Sequence, residues 1–328
     1  MENMDTTSRR PVRRSRLLPI ALVAALATSA CGADAAGPAG PRTGSSTSST
    51  PTEQPRPSSV RKELAALERS SETRIGVHVH DTGTGRTVSW RNGERFPFAS
   101  TIKAPLAAAV LDLVPRKDLK RVIRFDEEDL VPYSPITEKH LEDGMTLRAV
   151  VDAVLRFSDN TAANLLFEEI GGPGGLDRAL DRLGDRVTDP ERTEPALNTA
   201  IPGERRDTTT PRAIADTVGA YVLGKALPHH DRELLRTMMI GNTTGDALIR
   251  AGVPEGWVVA DKTGSADYGV RNDVAVAFPP GRSPVLIAVL TRRDRVDAPS
   301  DDAVVAEATL IAVDALRRGE RTPGAAAD

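Results

Sequence analysis

Three short segments of the chain carry side chains that could make and break an acyl bond. The first is Ser100-Thr101-Ile102-Lys103, at the start of a stretch with helical periodicity. On a helix, positions i and i+3 share a face, so the Lys103 amine can reach the Ser100 hydroxyl. A serine alkoxide is inaccessible near neutral pH without a neighbouring base. A serine at a helix N-terminus also gains free backbone N–H groups and a positive dipole end for a developing oxyanion. The second segment, Ser158-Asp159-Asn160, lies between two helical runs, and the third, Lys262-Thr263-Gly264-Ser265, closes a strand. Each also has a plainer reading. The first alone suits a capped, solvated turn, the second a polar helix–helix turn, and the third a strand end turning at glycine. Order and spacing set the three apart: about 55 residues separate the first two, and about 100 lead to the third.

A fourth segment, Arg192-Thr193-Glu194-Pro195-Ala196-Leu197-Asn198, completes the set. With Tyr133-Ser134-Pro135, Arg206-Asp207-Thr208-Thr209-Thr210-Pro211 and Asn242-Thr243-Thr244-Gly245-Asp246, the chain resembles the class A β-lactamases, penicillin-recognising serine enzymes. The resemblance runs from about residue 60 to residue 318. It implies that Ser100 attacks the lactam carbonyl and is acylated. Lys103 then belongs to the base network, and the proton acceptor in acylation is either Lys103 or Glu194 acting through a water. Backbone N–H groups of Ser100 and Ser265 would form the oxyanion hole. Ser158, helped by Lys262, would protonate the departing nitrogen. Asn160 would bind the acylamide. Thr263, Ser265 and Arg271 would hold the substrate carboxylate, which a guanidinium fits well. Tyr133 and Gly264 are the remaining substrate-site positions. Glu194 and Asn198 would activate the deacylating water, with Arg192 and Asp207 paired at the neck of the Ω-loop that carries them.

The implied function is hydrolysis of the β-lactam amide of penicillins and cephalosporins, with resistance as its consequence. The alternative is a penicillin-binding acyl-serine peptidase or sensor that stalls after acylation, and Glu194 is the residue that separates the two. A non-catalytic, lipid-tethered cell-wall binding protein is a third possibility. Some positions depart from the common pattern. Ala99 and Ala266 stand where some carbapenem-hydrolysing members join two cysteines, so this chain cannot make that bond. Pro190 and Glu191 precede Arg192, where aspartate is common next to the arginine. Ser265 and Asp267 also occur in members with broad cephalosporin activity.

These residues need elements to position them. Apolar spacing predicts a helix at 60–69, strands at 74–80 and 86–90, and a mostly helical block from 101 to about 223. Within that block 104–113, 147–157 and 211–223 are the clearest helices. Pro211 suits a first turn, with one of three preceding threonines as cap. A helix at 231–240, strands at 257–260, 273–277 and 285–291, and a helix at 302–317 follow. A sheet interrupted by a helical insertion is an α+β, two-lobed body with its site between the lobes. The resemblance adds an antiparallel sheet flanked by helices. The α/β lobe comprises about 60–95 and 225–320, and the helical lobe about 96–224. His229 and His230 are expected in a solvated loop. Gly219–Ala226 imitates a phosphate loop but lacks the final Ser/Thr and sits in a helical pattern. No G-x-S-x-G elbow is present.

The chain has 328 residues and a formal net charge of −3. Residues 1–30 read as a signal peptide: Arg9, Arg10, Arg13, Arg14 and Arg16 precede an apolar run over 17–28, too short to span a bilayer. Either the general or the twin-arginine export route fits. Ala27-Thr28-Ser29-Ala30-Cys31 resembles a bacterial lipobox with Cys31 as the lipidated residue, although Thr28 stands where leucine is usual. Residues 31–59, rich in Ser, Thr, Pro and Gly, form a tether that cannot offset its ordering entropy by burial. The catalytic domain is 60–320. Without the leader, which carries a net +3, the remainder is −6. That charge argues against nucleic-acid binding through phosphate neutralisation. One cysteine excludes an intramolecular disulfide and a cysteine-built zinc site, and no histidine falls in an H-E-x-x-H motif. No cofactor and no metal are expected. A monomer is expected, exported and lipid-anchored on the outer face of the cytoplasmic membrane or else secreted.

Overall fold

A computed structural model describes residues 57–318; the expected signal peptide, most of the tether and Cys31 lie outside the described residues. In chain order the elements are α1 (Pro57–Ser71), β1 (Arg74–Asp81), β2 (Thr87–Trp90), β3 (Phe96–Pro97), α2 (Lys103–Leu113), β4 (Val122–Ile123), β5 (Met145–Thr146), α3 (Leu147–Phe157), α4 (Asn160–Glu169) and α5 (Pro173–Leu183). They continue with β6 (Thr208–Thr209), α6 (Pro211–Val222), α7 (His229–Ile240), α8 (Ile249–Gly252), β7 (Val258–Ala266), β8 (Val270–Phe278), β9 (Val285–Arg292) and α9 (Asp302–Arg318). A 3₁₀ turn, Ala99–Ile102, leads directly into α2.

Five strands form one antiparallel sheet in the order β2-β1-β9-β8-β7. The α+β class holds. Side chains alternate between sheet faces, and both faces are covered. Ile75, Val77, Val79, Ile287 and Val289 pack with α1 and α9 residues such as Leu64, Val305 and Leu316. Val274, Val276, Ala288 and Leu290 face the helical block. Helix α2 is buried from Lys103 through Leu111, which explains why its sequence is apolar all round. Helix α3 is capped by Thr146, whose hydroxyl accepts the Ala149 N–H. Thr210 does the same for Ala213 ahead of Pro211.

Several expectations need correction. Helix α1 begins at Pro57, inside the segment assigned to the tether. His229 and His230 are exposed but open α7 rather than lying in a loop. The segment 262–265 does not close a strand that ends at Ala260. It is the middle of β7, which runs on to Ala266. Apolar patterning stops at Ala260 because Asp261, Lys262 and Thr263 are buried by partners rather than by hydrophobicity. Two short strand pairings, β3 with β6 and β4 with β5, also escaped the pattern. The first sets Phe96 opposite Thr209 and Pro97 opposite Thr208.

Candidate active site

Four separate elements converge on one buried cluster. Ser100 sits in the 3₁₀ turn ahead of α2, and Lys103 is the first residue of α2. The two do share a face, but the lysine turns elsewhere. Its Nζ donates to Ser158 O at 2.7 Å and to Asn160 Oδ1 at 2.5 Å, and pairs with Glu194 Oε1 at 2.9 Å. The side chains of Lys103 and Glu194 are both wholly buried. The Ser100 hydroxyl donates to the same Glu194 Oε1 at 3.4 Å. One carboxylate oxygen is therefore the common partner of nucleophile and lysine. Burial pushes the Lys103 amine below the ordinary lysine range, and the Glu194 charge opposes that shift.

Ser158 is the C-cap of α3, held in the left-handed region at φ 58°. Such strain in a non-glycine residue persists only where the surroundings enforce it. Asp159 supplies much of that enforcement. It caps α4 by accepting the Ala162 N–H at 2.8 Å, and it takes the Ile136 and Thr137 N–H groups at 2.9 Å each. This ties the loop carrying Tyr133 to the helix junction. Tyr133, itself at φ 65°, is 61% exposed, and its carbonyl accepts the Asn160 N–H at 3.0 Å. The Asn160 amide is already engaged at both ends, by Lys103 and by Pro132 O at 2.8 Å. Its resting contacts thus position the lysine, and one N–H is left for a ligand.

Lys262 enters from the sheet. Its Nζ donates to Ser158 Oγ and Thr263 O, each at 2.9 Å. Burial first, and then the Lys103 charge, push it down to about 7. The rest of the edge strand serves the same cleft. Thr263 Oγ1 contacts Thr244 Oγ1 at 2.5 Å, while the Arg271 guanidinium donates to Ser265 Oγ at 2.9 Å and to Asp302 at 2.5 Å. Arg271 lies opposite Ser265, but its own N–H and carbonyl both bond Thr291 on β9. The pair is therefore a non-hydrogen-bonded one, which turns the Ser265 N–H to the free edge. That edge abuts the Ser100 turn. A Cβ on Gly264 would stand 3.1 Å from Ser100 N, Phe98 O and Ala99 Cβ, so any side chain there would push the strand and the turn apart by a few tenths of an ångström.

The segment with Glu194 is cross-braced. Asn198 Nδ2 donates to Glu194 Oε2, and the Glu194–Pro195 bond is cis. Asn164 on α4 clamps the Glu194 backbone, accepting its N–H and donating to its carbonyl, both at 2.9 Å. Arg192 pairs with Asp207 and, at 3.0 Å, with Glu204. Asp207 also accepts the Glu191 and Arg192 N–H groups, at 2.9 and 3.0 Å, and its carbonyl takes the Phe98 N–H at 3.1 Å. The loop neck is thus bonded to the strand that leads to Ser100. Ala99 and Ala266 share a small apolar cluster with Val270. Sequence reasoning did not single out Asn164, Glu204 or Asp302, and cited Thr244 only within the segment 242–246 without a role. Asn164 left a signal of its own: it stands four residues after Asn160, on the same helix face. Among the described residues, no group of three His, Cys, Asp or Glu side chains is placed to hold a metal ion.

The arrangement offers an acylatable hydroxyl, a buried carboxylate–lysine pair, a second hydroxyl–lysine pair and a convergent set of donors for an anion. The chain as a whole is similar to proteins named as beta-lactamases. The profile of the beta-lactamase enzyme family matches residues 59–316. A beta-lactamase from Bacillus licheniformis is 49% identical over 271 residues, which is 83% of this chain and 88% of that protein. One from Amycolatopsis lactamdurans is 50% identical over 266 residues, 81% of this chain and 88% of the relative. The crystal structure of the class A beta-lactamase from Clostridium kluyveri DSM 555 superposes with a TM-score of 0.78 at 42% identity, covering 79% of this chain and 99% of that one. That of a halotolerant bacterial beta-lactamase gives 0.77 at 47%, covering 78% and 98%.

Proposed function

The chain belongs to the β-lactamase enzyme family and is a class A β-lactamase, a hydrolase of the β-lactam amide; from that premise we propose how its own residues perform the reaction. Ser100 Oγ attacks the lactam carbonyl carbon. Its proton passes to Glu194, whose Oε1 is its hydrogen-bond partner, with Lys103 neutralising the same oxygen. The oxyanion is received by the N–H groups of Ser100 and Ser265. As the C–N bond breaks, Ser158 gives its proton to the ring nitrogen, and the Lys262 ammonium at 2.9 Å supports that transfer. Thr263, Ser265 and Arg271 hold the substrate carboxylate, Asn160 the acylamide, and Tyr133 and Gly264 line the cleft. A water beside Glu194 and Asn198 then attacks the ester. Before that attack the proton on Glu194 passes through Lys103, 2.9 Å from Glu194 Oε1 and 3.5 Å from Ser158 Oγ, to Ser158. Glu194, again a carboxylate, takes one proton from the water, the new C–O bond forms, the bond to Ser100 breaks, and Glu194 returns that proton to Ser100.

The observation that carries this reading is the position of Glu194, buried within hydrogen-bond distance of both Ser100 and Lys103. It supplies the base that an acyl-serine peptidase or sensor lacks. Glu194→Ala should leave a persistent acyl adduct on Ser100 by mass spectrometry after penicillin exposure. Turnover should fall by about 10²–10⁴-fold, the usual contribution of a general base. Rapid loss of the adduct in that variant would remove Glu194 from deacylation. The substrate range we propose is penicillins and cephalosporins, hydrolysed by a monomer that needs no cofactor. We further propose that residues 1–30 direct export, that Cys31 carries lipid, and that the segment from 31 up to α1 tethers the enzyme outside the cytoplasmic membrane.

A further inference from the structure

Two buried acids beside Lys262 take part in no step above. Asp261 precedes Lys262 on β7, and Asp273 on β8 lies opposite Thr263. Since side chains alternate, Asp261, Thr263 and Asp273 share one face, and the two acids are diagonal neighbours across β7 and β8. Lys262 leaves from the other face, toward Ser158. Both acids are 0% exposed, yet their partners differ. Asp261 accepts Arg250 Nε at 2.8 Å, pairs with Arg250 Nη2 at 2.6 Å and accepts Asn242 Nδ2 at 2.5 Å. A Cβ on Gly245 would stand 2.0 Å from Asp261 Oδ2, so the chain there presses directly on the carboxylate. Among the described residues, Asp273 accepts only the Ile249 N–H, at 3.1 Å on Oδ2, and no donor meets its buried Oδ1. An ionised carboxylate has about four acceptor sites to satisfy, and leaving it unpaired in the interior costs several kcal/mol. A protonated carboxyl instead needs an acceptor, and the Asp261 carboxylate is one.

We propose that Asp261 and Asp273 carry one negative charge between them, Asp261 as the carboxylate and Asp273 as the neutral acid sharing its proton with it, and that this single charge keeps Lys262 an ammonium beside Ser158. Burial first, and then the Asp261 charge, push the Asp273 carboxyl well above its ordinary range. Burial also raises Asp261, against the opposing Arg250 guanidinium. Other charges face the group as well. Lys103 depresses Lys262, Glu194 and the acids raise it, Arg271 acts on Asp273, and Asp246 shares Arg250. With no charge on the pair, Lys262 would lie between burial and Lys103 with Glu194 alone to hold its proton.

This rests on Lys262 acting as a cation toward Ser158 and the substrate carboxylate. The test compares pH profiles of kcat/KM for the wild type, Asp273→Asn and Asp261→Asn. Asn at 273 mimics the neutral acid, so the alkaline limb should stay in place. Asp261→Asn removes the charge that raises Lys262, so its alkaline limb should move to lower pH by about one unit or more. Equal shifts in both variants, or none in Asp261→Asn, would overturn the proposal. The infrared difference spectrum of wild type against Asp273→Asn at neutral pH reads the proton without turnover. A protonated-carboxyl C=O band should be present in the wild type and lost in the variant, and its absence from the wild type overturns the proposal. That measurement is independent of the β-lactam reading, and it stands even if Asp261→Asn does not fold.

Discussion

Glu194 does three jobs through three sets of atoms. Oε1 meets Ser100 and Lys103, Oε2 meets Asn198, and the backbone N–H and carbonyl are both held by Asn164. A carboxylate can be kept wholly buried only when such partners replace its water. The backbone clamp fixes where the side chain starts, and an error of about 1 Å there is worth about 10²-fold in rate. Asn164→Ala should therefore slow deacylation about 10–100-fold with a smaller effect on acylation. Pre-steady-state kinetics would show a burst followed by accumulated acyl-enzyme. Equal slowing of both steps would show that the clamp acts on the whole site rather than on Glu194.

At the scale of elements, the site depends on contacts that no single element makes. The edge of β7 comes against the 3₁₀ turn at residue 264, where a Cβ would stand 3.1 Å from three atoms of that turn. The Ω-loop is closed at its neck by Arg192, Asp207 and Glu204, and the Asp267 N–H of the β7–β8 turn donates to Asn198 O at 3.1 Å. Asp207 is almost fully buried, so removing its guanidinium leaves a buried charge with only backbone donors. Breaking a buried pair costs about 3 kcal/mol or more. For a domain of this size, Arg192→Ala should lower Tm by roughly 6–12 °C. It should also slow deacylation more than acylation. If thermal denaturation and single-turnover kinetics are both unchanged, the pairing does not hold the loop.

At the scale of the molecule, one sheet separates two apolar clusters, one under α1 and α9 and the other around α2. The helical block and the strand edge meet along the reacting residues, so each layer supplies part of the site. No described helix is long and apolar enough to cross a membrane. Membrane attachment would then rest on Cys31, where each buried lipid CH₂ contributes about 0.8 kcal/mol and two or more chains anchor stably. In a bacterial host that processes lipoproteins, wild type should sediment with membranes and Cys31→Ala should remain soluble. Wild-type enzyme found in the soluble fraction would reject the anchor and leave simple secretion.

Much of the enzyme was already written in its order of residues. Ser100, Lys103, Ser158, Glu194 and Lys262 could be named because their motifs are local, and local motifs survive in a linear string. Helices α3 and α6 were legible from apolar spacing and caps for the same reason. The extension of β7 through Asp261 and Lys262 was not, because polar residues buried by distant partners break the pattern that marks a strand. Nor could sequence show that Lys103 turns to Glu194 and Asn160, since that choice is made by side chains 91 and 57 residues away. The hold of Asn164 on Glu194, the outward N–H of Ser265 and the acid pair behind Lys262 arise the same way. Each is fixed by packing between elements, where burial makes an unpaired polar group too costly to leave and only the folded chain decides which partner satisfies it.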